Sequence, residues 1–521
     1  MKYVSDKSDG GKWITSLFLS RFAGCYIVTA LVVLQGVASA YELYTSRHNA
    51  WIHYTSRVAD KTDEYGYGTT PLLWSVRGNS PNGIPDYVDE LGWAFDSVWS
   101  ALYESGDFIS PLPTRSDLEA TYVITVQSLD KGILGRTVPA DKKGFMQPGY
   151  KSYMKIANDF DGTPLKNQVV RAMRVVVAHE IFHGSQYAGV SYAEKAEFDD
   201  FPLGWIEGTA TYMPHRVFPD TDNIDLLKSL HSRYFDDPTV PIFADIHDGK
   251  TEYRGFLGAY FIAEGVNHEY GIELIADIFR LNAEERRSLP ALGDEAAKKH
   301  NTDWATILND FYTESYFTGD RSDTRLFVPE AGRLEKWDCQ IEPLHTPNAV
   351  ELELQPWGMN RYGFTFSTDA PQEVPFSILS VDPALEDVGT RRVSFIVDFT
   401  DDAKRDTILS RFSERGGYLS IPAGSGNLVA VVTNAADTAR TLCLEMGKEP
   451  TGIRYASEYS SEIRMYQPEN AFNRGRFSPL GRQLSFDGIS RANGILLVRE
   501  NRRVRTMLQL SVTPGNTDAE K

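Results

Sequence analysis

A chain of 521 residues, 42% hydrophobic and 24% charged, can bury sizeable cores and form more than one domain, which excludes a disordered protein. The formal net charge is −18; residues 1–40 hold four cations against two anions (4 − 2 = +2), so the remainder carries −20. That balance excludes nucleic acid and anionic membrane surfaces as natural partners.

The first segment reads as an address. A basic leader precedes "FAGCYIVTALVVLQGVASA" (22–40), whose Ala38-Ser39-Ala40 end has the small-x-small pattern of a signal-peptidase site. The expectation is an exported, secreted or periplasmic chain starting near Tyr41, with no membrane attachment after cleavage. An uncleaved anchor is the alternative. Cleavage removes Cys25 and leaves Cys339 and Cys443, an even pair that suggests one disulfide in an exported protein, with two unbonded thiols as the alternative.

From 41 to about 165, strand-like runs "AWIHYT" (50–55), "ATYVITVQ" (120–127) and "SYMKIAND" (152–159) alternate with a helical stretch, "PDYVDELGWAFDSVWSALYESG" (85–106). "SYMKIAND" is a candidate edge strand that could pair with an extended peptide, or an ordinary sheet strand. "GNSPNGIPDYVD" (78–89) has some Ca2+-loop spacing, but Gly78 and Ser80 stand where strong carboxylates belong, so a capped turn is the favoured reading. From 165 to about 325 helices dominate, including "LKNQVVRAMRVVVAHEIFHGSQYAG", "GWIEGTATYMPH" (204–215), "FLGAYFIAEGVNHEYG" (256–271) and "DWATILNDFYTESYF" (303–317). Between 336 and 450, "AVELELQ", "YGFTFS", "RRVSFIVDFT", "GYLSIPAG" and "NLVAVVTN" alternate with turns, as in an antiparallel β-sandwich. Residues 451–521 form a short β-rich segment with a polar tail. The fold class expected is α+β: a mixed sheet and a helical subdomain over 41–335, then an all-β sandwich.

The most specific chemistry lies in "AHEIFHGSQY". Residues four apart on a helix project side by side, so His179 and His183 can present two imidazole nitrogens to one Zn2+ ion, with Glu180 at the edge of the same face as general base for a zinc-activated water. A third ligand is needed. The pattern HExxHxxGxxH fails, because Gln186 and Gly189 occupy the Gly and His places. Glu207 in "GWIEGTATYM", on the next predicted helix, completes a His-His-Glu set; Glu194, Glu197, Asp199 and Asp200 are competitors in an acidic loop. Tyr253 is the first candidate to stabilise an oxyanion, with His215 and His231 behind it. Gln186 and Tyr187 read as packing residues.

These blocks resemble the glutamate-ligand zincins (gluzincins), in particular a family of secreted bacterial metalloproteases with HExFHxxQ and WxxExxAxW-like blocks. "WIHY", "NGIPDYVDE", "SYMKIANDF" and "PWGMNRYGF" fit as well, over roughly 50–365. The resemblance implies a zincin-like protease domain, His179, His183 and Glu207 as zinc ligands, Glu180 as base, and peptide or protein as substrate. Thr211 departs from the pattern, standing where a carboxylate often orients a histidine. The contrasting reading is a cell-surface binding or structural protein with an inactive zincin-like domain.

Overall fold

Short β-branched and aromatic runs of alternating burial build the first sheet. The computed structural model describes residues 42–54, 86–112, 121–189, 201–381, 390–447 and 498–505, with short gaps inside these spans. The leader and its cleavage site, the 194–200 carboxylates, most of the 78–89 loop and most of the C-terminal segment lie outside the described residues. The chain divides into two compact units, Met1–Ala456 and Ser457–Lys521.

Strands β1 (Glu42–Thr45), β2 (Ala50–Tyr54), β3 (Tyr122–Gln127), β4 (Gly135–Gly144) and β5 (Gln147–Ala157) form one sheet in the order β1-β2-β3-β5-β4. β2, β3 and β5 run parallel, while β1 and β4 are antiparallel to their neighbours. A parallel pair needs a crossover. Helix α1 (Asp86–Trp99) lies between β2 and β3, burying Val88, Leu91, Phe95 and Val98. Residues 152–157 of "SYMKIAND" therefore lie in the interior strand β5, not at an edge; the edge on that side is β4, which sequence reading did not identify.

Helix α2 (Val169–Ala188) packs on β4 and β5 and is buried along most of its length. Next come α3 (Leu203–Val217), α4 (Lys228–Asp236), α5 (Gly255–Glu264), α6 (Gly271–Glu284), α7 (Leu289–Lys298) and α8 (Trp304–Glu314). α3 and α5 approach closely because both lack a side chain at the crossing: a Cβ on Gly208 would lie 2.3 Å from the Gly255 carbonyl carbon. Sequence reading ran α5 on to residue 271, but the helix stops at Glu264.

The nine strands that follow are β6 (Ile341–Pro343), β7 (Asn348–Leu354), β8 (Met359–Thr368), β9 (Gln372–Ser380), β10 (Arg391–Phe399), β11 (Thr407–Phe412), β12 (Gly416–Ile421), β13 (Gly424–Asn434) and β14 (Arg440–Met446). They make two facing sheets, β11-β10-β13-β8-β6 and β12-β9-β14-β7. Phe364, Phe376, Phe395, Leu428 and Leu444 fill the space between them. The outer face of the first sheet is also covered: Met359, Ile396, Val429 and Val431 join the core that contains Trp304 and Leu308 of α8. This explains the nearly continuous burial of β13, since a sheet covered on both faces loses its alternation.

Cys339 and Cys443 do not form the expected disulfide. Cys339 packs beside Gly363 of β8, whereas Cys443 is on β14 in the opposite sheet. Leu442, Leu444 and Met446 point inward, so strand alternation turns Cys443 outward, away from the other sheet. In the second unit, β15 (Val498–Glu500) and β16 (Arg503–Arg505) pair antiparallel.

Candidate metal centre

Helix α2 is pinned by Val176, Val177, Ala178, Ile181 and Phe182, all buried, which leaves His179, His183 and Tyr187 half-buried on its remaining face. α3 packs against it and supplies Glu207. The Nε2 atoms of His179 and His183 are 3.0 Å apart, and Glu207 Oε2 is 3.2 Å from the first and 3.6 Å from the second. Two ligands each about 2.0–2.1 Å from a tetrahedral zinc would be separated by about 3.3–3.4 Å. The three distances bracket that value. Among the described residues, this is the set of His, Cys, Asp or Glu donors that converges closely enough to hold a metal ion.

The electrostatics agree with the geometry. Two imidazole lone pairs and a carboxylate in one half-buried place repel unless a cation lies between them. Without a metal, the need is met by protons. Burial opposes charge on His183, but Glu207 beside it pushes its pKa up to about 9. Burial likewise opposes charge on Glu207, and the two histidines outweigh it, holding the carboxyl well below its usual range. Glu207 Oε2 is buried, and both imidazoles face it, at 3.2 and 3.6 Å. A divalent cation satisfies all three groups at once, so the donor set fits zinc.

The far sides of both histidines are held. His183 Nδ1 lies 2.6 Å from Gln186 Oε1, and His179 Nδ1 lies 3.4 Å from Thr211 Oγ1. Thr211 thus faces the histidine that a carboxylate was expected to orient, and Gln186 does more than pack. The sequence signal for Gln186 was its spacing, three residues after His183 on the same helix.

Glu180 is buried beneath this face. Thr137 Oγ1 on β4 is 2.9 Å from Glu180 Oε2 and also contacts the Glu180 carbonyl. β4 can come this close because residue 135 is glycine: a Cβ there would lie 2.7 Å from Glu180 Cγ and 2.9 Å from Oε1. Neither Gly135 nor Thr137 was identified from the sequence, because the pairing that brings β4 over α2 is non-local.

Tyr253 sits in a 3-10 turn, Thr251–Arg254, with its ring centroid 6.3 Å from that of His179. Asp248 fixes the turn by accepting from Lys250 N, Thr251 N and Thr251 Oγ1. Burial, then the charges of Glu207, Glu252 and Glu180, raise the Tyr253 pKa, so the phenol keeps its proton and can donate. Tyr187 is raised by burial and by Glu180 and Glu207. His215 is not part of this group. It lies two turns beyond Glu207 on α3, about 12 Å along the axis, against Tyr212, Phe256 and Tyr260, with Glu264 at 3.9 Å. The side chain of His231 is outside the described residues.

No family model matches the chain, and no curated protein matches it. Among solved structures, the M60 catalytic domain with the CBM51-1 and CBM51-2 domains of Clostridium perfringens ZmpB is 9% identical at a TM-score of 0.28, covering 81% of this chain and 62% of that one. The pre-peptidase C-terminal domain of Bacillus anthracis collagenase is 9% identical at 0.16, covering 22% of this chain and 99% of that one. At 12% identity and 0.15, the Aeromonas hydrophila periplasmic inhibitor of g-type lysozyme covers 21% and 96%. At such TM-scores the likeness carries no argument about fold or function.

Proposed function

We propose that this chain is an exported zinc-dependent endopeptidase. The observation that supports it is the convergence of His179, His183 and Glu207 on one point, with Glu180 and Tyr253 beside them. A zinc ion held by the three donors supplies the Lewis acidity that makes a water acidic and polarises a peptide carbonyl. Glu180 accepts the proton of the attacking water and passes it to the leaving amine, with the Thr137 hydroxyl holding its carboxylate. Tyr253, kept protonated, donates to the carbonyl oxygen as charge develops there.

A polypeptide substrate fits the edge of the sheet. The outer edge of β4 has no strand partner among the described residues, and its register is regular over Gly135–Pro139, beside Glu180, before the shifts at Lys142 and Gly144. An extended peptide can add to that stretch through main-chain hydrogen bonds. The net charge and leader support a soluble peptide partner outside the cell.

Glu180→Gln tests the reading, because Glu180 is not a ligand. The variant should keep one zinc per chain while hydrolysis of an unfolded protein substrate falls by roughly 10²–10⁴-fold. A zinc-loaded wild-type chain with no hydrolysis above that variant would favour the binding-protein reading instead.

A further inference from the structure

The buried amide of Gln186 is bonded on every side. Its Nε2 donates to the Ile206 carbonyl at 2.9 Å and to Thr209 Oγ1 at 2.9 Å, and its Oε1 faces His183 Nδ1 at 2.6 Å. A backbone carbonyl can only accept, so the NH2 must face Ile206 and the oxygen must face the imidazole. His183 Nδ1 must then carry the hydrogen, and the lone pair of neutral His183 is on Nε2, the atom turned toward His179 and Glu207. Thr209 completes the arrangement: its hydroxyl donates to the Trp205 carbonyl at 2.8 Å and keeps a lone pair for the second Gln186 hydrogen. Flipping the amide would lose both donor bonds and set two oxygens against each other, in a place where Gln186 is 1% and Thr209 0% exposed.

We infer that Gln186 and Thr209 form a strut that fixes the tautomer of His183 and the spacing of the helices at the metal, so that zinc affinity depends on Thr209, which touches no ligand. The strut joins α2, with two of the donors, to the turn of α3 at Ile206, whose neighbour Glu207 is the third. The inference rests on the metal reading of the site but not on peptidase activity. Gln186 and Thr209 are positioning residues.

The test is a Zn2+ titration of the full chain against a chromophoric chelator. Gln186→Met keeps the volume and removes the three hydrogen bonds; it should weaken zinc binding by roughly 10–100-fold. Thr209→Val keeps the shape and removes one acceptor, and should weaken binding about threefold. Because the two act through one chain of bonds, Thr209→Val should add nothing in the Gln186→Met background. Gln186→Met within twofold of wild type, or a Thr209 effect undiminished in the double variant, overturns the inference while leaving the metal site intact. If Gln186→Met does not fold, Thr209→Val decides alone, and unchanged affinity overturns it. A wild-type chain that binds no zinc fails the metal reading itself.

Discussion

Two clusters of histidine and carboxylate among the described residues are finished differently. In the first, His179, His183 and Glu207 turn their donor atoms toward one point, with no arginine or lysine among them. In the second, at the junction of α8 with the sandwich, His268 Nε2 lies 2.9 Å from Glu314 Oε1 and Tyr270 donates to Asp310 at 2.9 Å. Arg411 of β11 supplies the cation, 3.0 Å from Asp310 Oδ1 and 2.7 Å from Glu314 Oε1. The Phe327 amide serves the remaining Glu314 oxygen. A resident guanidinium takes the place a metal would need, so the same residue types make a structural junction. Burial with convergence, and without a built-in cation, distinguishes a metal centre from an ion-pair core.

Replacing one histidine in each cluster should break the symmetry most strongly. His183→Ala should weaken zinc binding on the order of a thousandfold, because only two ligands remain. His268→Ala should leave zinc affinity unchanged in the same titration. Equal effects would contradict the distinction.

Removing the resident cation sharpens the comparison from the other side. Arg411→Met leaves Asp310 and Glu314, 5% and 1% exposed, facing each other without their partner. Breaking a buried pair typically costs roughly 3–5 kcal/mol; with the Arg411 side chain 39% exposed, we expect about 2 kcal/mol. Urea unfolding of the variant measures this, with zinc content as the control that should not move.

A smaller effect separates the clusters by pH in chain kept free of metal by a chelator. The His183 pKa is raised from 6.5 to about 9, so its contribution to stability is full below 6.5 and is lost as pH rises through about 9. Glu207 is shifted down from 4.5, so its contribution is present above 4.5 and is lost as pH falls through its folded value. Their joint contribution should therefore be greatest between 4.5 and 6.5. Melting temperature against pH should show an alkaline decline over 6.5–9 that His183→Ala flattens. A variant with the same alkaline slope as wild type would show that the pairing adds nothing.

What could be read from the sequence was what local periodicity determines. His179, Glu180 and His183 are set by the pitch of one helix, and Glu207 by its place on the next. Of the sandwich strands, β7, β8, β10, β12 and β13 were legible as β-rich runs between turns, whereas β9, β11 and β14 were not; the alternation of Leu442, Cys443 and Leu444 on the unread β14 turns Cys443 outward, against the disulfide suggested by counting cysteines. Strand order was not legible: "SYMKIAND" became an interior strand because β4 folds back beside it, a pairing no local pattern encodes. Gly135 and Thr137 were missed for that reason. Gln186 was missed because its partners Ile206 and Thr209 lie across a helix interface.

Zinc stoichiometry of the purified chain beside its Glu207→Ala variant tests the central claim most directly. Metal analysis after dialysis should find one zinc per wild-type chain and a largely metal-free variant, since His179 and His183 alone leave the ion held mostly by water. Full zinc occupancy in Glu207→Ala would contradict the account and move the third ligand elsewhere.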